Sequence, residues 1–311
     1  MSKIGFIFPG QGSQKAGMGK EFYDAFPVSR EVFDRASQIL DMDMKELCFE
    51  ENDRLDRTEY TQCALVTTSL AIMAALKERG IHPDAAAGLS LGEYCALVAA
   101  GVMGCDDAIA TVRQRGILME HEVPAGQGGM AAVLALDAAI IEKTIANIDG
   151  VQIANYNCPG QIVISGRKEA VEEASERLKE AGAKRCVPLN VSGPFHSKML
   201  IHAGEKLGHV LENVAVSDPQ IPYATNVTGQ YVTSASQVKE LLMKQIYSSV
   251  RWQQDVETMI ADGVDTFIEI GPGKTLTGFL KKIDRSVVAL HVETPADLEE
   301  VVAALQKKQE E

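Results

Sequence analysis

The segment Gly88-Leu89-Ser90-Leu91-Gly92-Glu93 decides the fold class of this chain. It has the spacing G-x-S-x-G, and it lies between a short strand-like run at 85–88 and a helix-like run at 91–100. A serine on a sharp strand-to-helix turn needs glycine two residues before it and two residues after it, because larger side chains would collide there. The segment therefore predicts a nucleophile elbow in an α/β protein, with Ser90 as the nucleophile.

Ser90 needs neighbours that stabilise charge and accept its proton. The elbow would place it at a helix N-terminus, where the N–H of Leu91 and the helix dipole can stabilise a developing oxyanion. A serine hydroxyl is a weak nucleophile without an adjacent base. The plainer alternative is a glycine-flanked serine that only caps the helix.

His196 is the candidate base. It lies in Val191-Ser192-Gly193-Pro194-Phe195-His196-Ser197, between a predicted strand at 184–189 and a predicted helix at 197–213. Loops at the ends of regular elements commonly present catalytic side chains. Its position fits a base for Ser90 better than that of the other five histidines, although an ordinary loop histidine is the alternative.

The middle of the chain has a pattern of its own. We expect strands at 129–136, 151–156, 161–165 and 184–189, and helices at 137–147 and 168–181. This order, βαββαβ, is that of a ferredoxin-like unit. The sequence therefore predicts a ferredoxin-like subdomain at 128–190, inserted into a larger α/β catalytic domain with a parallel sheet that is formed by residues 1–127 and 191–311.

The composition restricts the class of protein. Hydrophobic residues make up 46% and charged residues 23%, which is typical of a globular protein. A formal net charge of −13 argues against general binding to nucleic acid or to an anionic membrane. The apolar run at 4–8 stops at Pro9, and no stretch is long enough to span a bilayer, so we expect neither a signal peptide nor a membrane segment. The six cysteines form no C-x-x-C pair, which predicts free thiols in the cytoplasm and no metal site.

Six segments together resemble the malonyl-CoA:acyl carrier protein transacylase family. They occur in the family order and cover nearly the whole chain: Phe8-Pro9-Gly10-Gln11-Gly12-Ser13-Gln14, Gly88-Leu89-Ser90-Leu91-Gly92-Glu93-Tyr94, Arg113-Gln114-Arg115-Gly116, Asn155-Tyr156-Asn157-Cys158-Pro159-Gly160-Gln161, Pro194-Phe195-His196-Ser197 and Ile268-Glu269-Ile270-Gly271-Pro272-Gly273. The resemblance implies an α/β-hydrolase-like large domain with a ferredoxin-like insert, which agrees with the pattern at 129–189.

The resemblance implies a role for each catalytic residue. Ser90 would be the nucleophile, and His196 would act first as general base and then as general acid. The backbone N–H groups of Gln11 and Leu91 would form the oxyanion hole. The backbone carbonyl of Gln245 would orient His196, so that a dyad replaces the usual acidic triad.

Four further positions bear on substrate choice. Arg115 would bind the free carboxylate of a malonyl group, since a guanidinium pairs with a carboxylate at two points. We expect Arg113, on the same predicted helix, to be a solvated surface charge. Phe195 would either fill space beside the acyl α-carbon, against branched acyl groups, or simply pack in the core. Leu89 departs from the histidine that many family members carry, which affects the fine tuning of the site but not the nucleophile.

The resemblance implies that the chain transfers a malonyl group from malonyl-CoA to the phosphopantetheine thiol of acyl carrier protein, by a ping-pong mechanism, for fatty acid biosynthesis. Coenzyme A would enter as part of the substrate, and no cofactor is expected. We expect a monomer that docks the acidic carrier protein on a local basic patch. The candidates for this patch are Lys184, Arg185, Lys198, Lys281 and Lys282.

Three alternatives stay open at this point. A serine esterase or thioesterase would share the elbow and would need an acidic residue between Ser90 and His196 in chain order. Candidates for that acid are Asp106, Asp107, Asp137 and Asp149. An acyltransferase could instead serve a carrier protein of polyketide synthesis. A scaffold without catalytic activity would give no reason for the two glycines around Ser90.

Overall fold

The structure is a computed structural model, and it describes residues 2–310, with side chains described up to residue 308. The strands of this range are β1 (Lys3–Phe8), β2 (Ala85–Gly88), β3 (Gly128–Leu134), β4 (Val151–Cys158), β5 (Gln161–Arg167), β6 (Arg185–Pro188), β7 (Ala224–Thr225), β8 (Gln230–Tyr231), β9 (Val264–Ile270) and β10 (Val288–Val292). The helices are α1 (Lys20–Ala25), α2 (Pro27–Leu40), α3 (Met44–Phe49), α4 (Thr58–Glu78), α5 (Glu93–Ala99), α6 (Cys105–His121), α7 (Ala138–Ile145), α8 (Lys168–Glu180), α9 (Ile201–Glu212), α10 (Ala235–Gln245), α11 (Trp252–Ala261), α12 (Thr275–Ile283) and α13 (Pro295–Glu310).

A parallel sheet of four strands forms the centre of the larger part of the molecule. Its order is β10-β9-β1-β2, and all three neighbouring pairs are parallel. Alternate residues of β1 point to opposite faces. Phe6 and Phe8 therefore join one hydrophobic core and Ile7 joins another, and all three are fully buried. Both faces of the sheet are covered, as is usual for parallel sheets.

The carboxyl ends of β1 and β2 determine where the candidate catalytic residues Gln11 and Ser90 lie. Phe8 and Gly88 are register partners at the carboxyl ends of the two strands. The loop after β1 carries Gln11, and the turn after β2 carries Ser90. Because parallel strands end at the same edge of the sheet, these two residues are brought together there.

A separate antiparallel sheet has the order β4-β5-β3-β6. All of its strands come from residues 128–188, and α7 and α8 pack against it. It has its own hydrophobic core, in which Val133, Ile141, Ile164 and Leu178 are fully buried. The predicted α/β class with a parallel sheet is thus confirmed, together with a second, antiparallel sheet in the middle of the chain.

Helix α4 lies in the core of the larger part. Most of its side chains are buried, and it packs against α2 and α6. It begins at Thr58 and ends before Gly80, whose φ of 74° is accessible to glycine without a steric penalty. No helix of residues 2–310 has the length and apolar character needed to cross a membrane.

Candidate active site

The sharp strand-to-helix turn predicted at Ser90 is present, and its backbone is strained. Ser90 has φ 51°, in the left-handed region that non-glycine residues rarely adopt. A Cβ on Gly88 would lie 1.9 Å from the backbone carbon of Gly92, and a Cβ on Gly92 would lie 2.2 Å from the carbonyl oxygen of Phe8. Neither atom can move aside, because each belongs to the backbone. Both glycines are therefore required by close backbone contacts.

His196 lies beside Ser90 at hydrogen-bond distance. Its Nε2 is 2.7 Å from Oγ of Ser90, and its Nδ1 is 2.8 Å from the backbone carbonyl oxygen of Gln245. A carbonyl oxygen can only accept, so Nδ1 carries the proton and Nε2 is free to accept the proton of the Ser90 hydroxyl. This tautomer is the one that a general base requires.

The environment of His196 favours the neutral imidazole. The side chain is almost fully buried, and burial lowers its pKa to about 4, with a further contribution from the positive charge of Arg115. The hydrogen bond to Gln245 opposes this shift. At neutral pH the ring is therefore uncharged and able to accept a proton.

Arg115, on α6, is buried beside the nucleophile. Its Nη2 donates to Oγ of Ser90 at 3.1 Å and to Oε1 of Gln245 at 3.0 Å, and its Nη1 donates to Oε1 of Gln62 at 2.8 Å. These acceptors are neutral, and burial lowers the pKa of Arg115. Among the described residues, the hydrogen bonds of Arg115 reach a carboxylate only through Gln245, whose Nε2 donates to Glu93 at 2.6 Å. The site thus holds a cation that is not directly paired with an anion by hydrogen bonds.

A cavity of about 510 Å³ contains the reacting groups. Ser90, His196, Arg115, Gln11 and Leu91 all line it. Gln11 is held there by its side chain, whose Nε2 donates to Oγ1 of Thr58 at 3.1 Å. The antiparallel part of the molecule supplies the other wall, since Met130 of β3, Asn155 and Asn157 of β4 and Val163 of β5 also line the cavity. Gln245 lies behind the wall, fully buried.

Nδ1 of His196 faces a backbone carbonyl, where an esterase triad would place an acid. The four aspartates considered from the sequence lie elsewhere. Asp106 pairs with Arg35, Asp137 caps α7, Asp149 accepts a bond from Arg167 through its carbonyl, and Asp107 lies in the first turn of α6. The geometry therefore disfavours the esterase alternative.

The expectation that Arg113 is a solvated surface charge is wrong. Its side chain is only 17% exposed, and its Nη1 lies 3.0 Å from Oε2 of Glu59. The guanidinium also stacks 4.4 Å from the ring centre of Tyr60. The reason is that α6 packs against α4, so Arg113 faces that helix and not solvent.

Leu89 and Phe195 also line the cavity. Phe195 is 7% exposed and packs with the large core cluster as well, so both of its expected roles remain predictions. Two further polar side chains, which no sequence motif indicates, reach the site: Gln62 contacts Arg115, and Asn226 contacts the backbone of Ser90. Gln62 lies in the mostly apolar sequence of α4, where a polar residue was an available signal. Asn226 lies in a segment without any recognisable motif.

Among residues 2–310, no group of three or more His, Cys, Asp or Glu side chains could hold a metal ion. What the site offers is a serine nucleophile with a correctly oriented imidazole and a nearby guanidinium. Such an arrangement can attack a thioester or ester carbonyl and pass the acyl group onward. The fold and the site thus define the class of serine-dependent acyl transfer proteins.

Known proteins agree with this class. The family model described as the acyl transferase domain matches residues 5–311. The malonyl CoA-acyl carrier protein transacylase of Bacillus subtilis (strain 168) is 48% identical over 313 residues, which cover 99% of each chain. The crystal structure of the malonyl CoA-acyl carrier protein transacylase of Clostridium perfringens has a TM-score of 0.96 and 44% identity, over 99% of this chain and 98% of that one. A malonyl-transacylase solved in complex with a type II PKS acyl-carrier protein has a TM-score of 0.92 and 41% identity, over 96% of this chain and 98% of that one.

The chain therefore belongs to the acyl transferase family, within the group of malonyl CoA-acyl carrier protein transacylases. The resemblance stated from the sequence motifs is confirmed.

Proposed function

We propose that this chain transfers a malonyl group from malonyl-CoA to the phosphopantetheine thiol of acyl carrier protein, through a malonyl-Ser90 intermediate. One observation carries the proposal: the buried guanidinium of Arg115 lies 3.1 Å from the Ser90 hydroxyl oxygen. A buried cation beside the nucleophile selects an acyl group that carries its own negative charge. Malonyl is such a group, and its carboxylate matches the fork of the guanidinium.

In the first half-reaction, the Ser90 hydroxyl attacks the thioester carbonyl while its proton passes to Nε2 of His196. A bond forms between Oγ and the carbonyl carbon, and the carbonyl oxygen becomes an oxyanion that the N–H groups of Gln11 and Leu91 stabilise. The intermediate collapses, the carbon–sulfur bond breaks, and the coenzyme A sulfur takes the proton from His196. The second half-reaction repeats these steps in reverse with the carrier thiol.

The malonyl carboxylate also affects the base. The charge of Arg115 lowers the pKa of His196. A carboxylate that pairs with Arg115 offsets this charge and makes His196 a stronger base when the correct substrate is bound. Substrate recognition and base strength would thus be linked through one guanidinium.

The direct test is the covalent intermediate. After mixing with malonyl-CoA, intact mass measurement should show one malonyl adduct, and peptide mapping should place it on Ser90. The adduct should disappear on addition of carrier protein and should persist in its absence. Fast hydrolysis without carrier would favour the thioesterase alternative, and an adduct that forms equally in Ser90→Ala would contradict the assignment of the nucleophile.

The carrier protein belongs to fatty acid synthesis in this proposal. The alternative is a polyketide carrier, and it is favoured by the similarity to the malonyl-transacylase that was solved with a type II PKS acyl-carrier protein. Transfer rates to purified carriers of both types, measured at equal concentration, distinguish the two. A clear preference for the polyketide carrier would replace the proposal.

The finer architecture belongs to the same proposal. We describe residues 1–127 and 191–311 as an α/β-hydrolase-like catalytic domain and residues 128–190 as a ferredoxin-like insert. The sheet order β4-β5-β3-β6, with two helices packed on that sheet, supports the second description. The active unit would be a monomer in the cytoplasm, where its six free cysteines stay reduced, and it would need no cofactor. Light scattering tests whether the protein is a monomer, and limited proteolysis tests the two domain boundaries.

A further inference from the structure

A cluster of buried polar side chains lies behind the elbow, and the proposed mechanism does not use it. Its members are Asn226, Asp255 and Glu93, and none of the three is accessible to solvent. Burying polar groups costs free energy unless their hydrogen bonds are satisfied by well-placed partners. A buried polar cluster beside the nucleophile is therefore expected to have a specific role.

Asn226 holds the elbow from both sides of the turn. Its Oδ1 accepts the backbone N–H of Ser90 at 2.7 Å, and its Nδ2 donates to the carbonyl oxygen of Gly88 at 2.8 Å. The same Nδ2 donates to Oδ2 of Asp255 at 2.7 Å. These bonds join the last residue of β2 to the nucleophile across the strained segment.

We propose that Asn226 is a positioning residue: its amide holds Ser90 in the left-handed conformation that directs Oγ at His196, and Asp255 fixes the direction of that amide. Ser90 lacks the freedom of glycine at φ 51°, so this conformation persists only if surrounding bonds impose it. The bond to the Ser90 N–H is such a constraint. This inference rests on the function proposed above for Ser90.

The direction of the Asn226 amide is decided by its neighbours. Two acceptors, the Gly88 carbonyl and the Asp255 carboxyl, lie on one side, and the Ser90 donor lies on the other. A rotated amide would place its oxygen against both acceptors and its nitrogen against a donor. Burial, with Glu93 nearby, raises the pKa of Asp255 well above its ordinary value.

Glu93 connects Asn226, which contacts Ser90, with Gln245, which contacts His196. Its Oε2 accepts the backbone N–H of Asn226 at 3.1 Å and Nε2 of Gln245 at 2.6 Å. Gln245 in turn holds His196 through its carbonyl oxygen. Asn226, which contacts the nucleophile, and Gln245, which contacts the base, therefore both donate a hydrogen bond to the same oxygen of Glu93.

The test is a cycle of two substitutions, because neighbouring residues that act together have non-additive effects. Asn226→Asp places a carboxylate oxygen against the Gly88 carbonyl and Asp255. Single-turnover acylation by saturating malonyl-CoA should fall about 10²-fold, as small misplacements of reacting groups do, while KM changes less than about threefold. Asp255→Asn alone should stay within about threefold of wild type, since its amide oxygen can still accept the bond. The double variant, Asn226→Asp with Asp255→Asn, should be acylated about tenfold faster than Asn226→Asp alone. The reason is that the amide introduced by Asp255→Asn can turn its NH₂ toward the new carboxylate.

A second readout separates this inference from the proposed function. Labelling of Ser90 by phenylmethanesulfonyl fluoride requires a well-placed serine but no malonyl recognition, and it should fall in parallel with acylation. If the wild type is labelled but is not acylated by malonyl-CoA, the proposed function fails while the positioning role survives. If Asn226→Asp is labelled and acylated within threefold of wild type, the positioning role is wrong.

Ser29→Ala is the matched control, since it deletes one fully buried hydrogen bond, to the carbonyl of Ala71, outside the site. It should lower the unfolding temperature without slowing acylation. If Asn226→Asp does not fold, Asp255→Val decides the question, because it keeps Asn226 but removes the acceptor that orients its amide. That variant should acylate about tenfold more slowly with an unchanged KM, and a wild-type rate would overturn the proposal.

Discussion

Arg115 donates a hydrogen bond from Nη2 to Oγ of Ser90 over 3.1 Å, so the guanidinium that we propose as the partner of the malonyl carboxylate touches the proposed nucleophile itself. The guanidinium is 1% exposed and has neutral acceptors as its direct partners. A carboxylate that enters the cavity would therefore supply the negative charge that the direct partners of Arg115 lack. The group that would select the substrate and the group that would attack it are therefore joined by one hydrogen bond. The first two predictions follow from this contact.

Arg115→Ala should change the substrate preference. Removing one partner of a buried ion pair commonly costs ~3–5 kcal/mol, which is on the order of two to four decades in kcat/KM for malonyl-CoA. Acetyl-CoA has no carboxylate, so its transfer should stay equal or rise. Arg115→Lys should recover only part of the malonyl activity, because an ammonium cannot form the two-point contact. Steady-state kinetics with both substrates measure this, and a parallel loss for both would mean that Arg115 has a structural role.

The pH profile of kcat/KM should reflect the low pKa of His196. Only the neutral ring accepts a proton, so activity should be flat at neutral pH and should fall as the pH drops through about 4, below the ordinary histidine value of 6.5. In Arg115→Gln, assayed with acetyl-CoA, the bend should move to higher pH, because a positive charge that opposes protonation is gone. Rapid-quench assays after short exposure to acid measure the profile, with circular dichroism as the control for folding. A wild-type bend near 6.5 would contradict the buried, neutral imidazole.

Gly92→Ala should destabilise the fold through a steric clash alone. Gly92 has ordinary helical backbone angles, but its Cβ would lie 2.2 Å from the Phe8 carbonyl oxygen. Inserting a methyl group into a packed region typically costs about 1–3 kcal/mol. Gly278→Ala is the control: it lies within α12 with no heavy atom within 4 Å of its Cβ, and alanine should stabilise that helix by about 0.5–1 kcal/mol. Urea unfolding measures both, and equal stability of the two variants would show that the elbow tolerates a side chain.

Charge reversal at the candidate docking residues should affect only the second half-reaction. The five basic residues are exposed, and they lie before and on β6, before α9 and on α12. Lys281→Glu with Lys282→Glu should lower transfer to carrier protein by about tenfold, because like charge at a docking rim slows association. Acylation of Ser90 by malonyl-CoA should not change. Lys20→Glu, at an exposed position on α1, is the matched control, and an equal loss in both half-reactions would count against a docking role.

Elements with strong local signals were predictable from the sequence. The glycine spacing around Ser90 and the βαββαβ order at 128–190 are both visible as local patterns of residue types. Their bounds differ from the structure by a few residues at most. For example, the helix predicted from residue 91 begins at Glu93, because Ser90–Gly92 form a 3-10 turn at the elbow.

Residues whose role depends on distant contacts were not predictable. Arg113 was expected in solvent, yet it packs on Tyr60 and Glu59, which are more than fifty positions earlier in the chain. The strand β10 was missed because Val292 is its one buried side chain, Val288 is exposed, and the segment has no strong pattern. Asn226 carries no motif, and its contacts with Gly88 and Ser90 arise only when the chain has folded.

By itself the sequence determined the α/β class, the elbow and the membership of a family, because glycine spacing, apolar periodicity and the order of short motifs can be recognised without knowing which segments are in contact. The tertiary structure alone decided that Arg115 is buried with no direct anionic partner among the described residues, and that Asn226 accepts the backbone N–H of Ser90. These are properties of distance, burial and charge between segments more than forty residues apart. Only the packed chain brings such segments close enough for hydrogen bonds and desolvation to act on them.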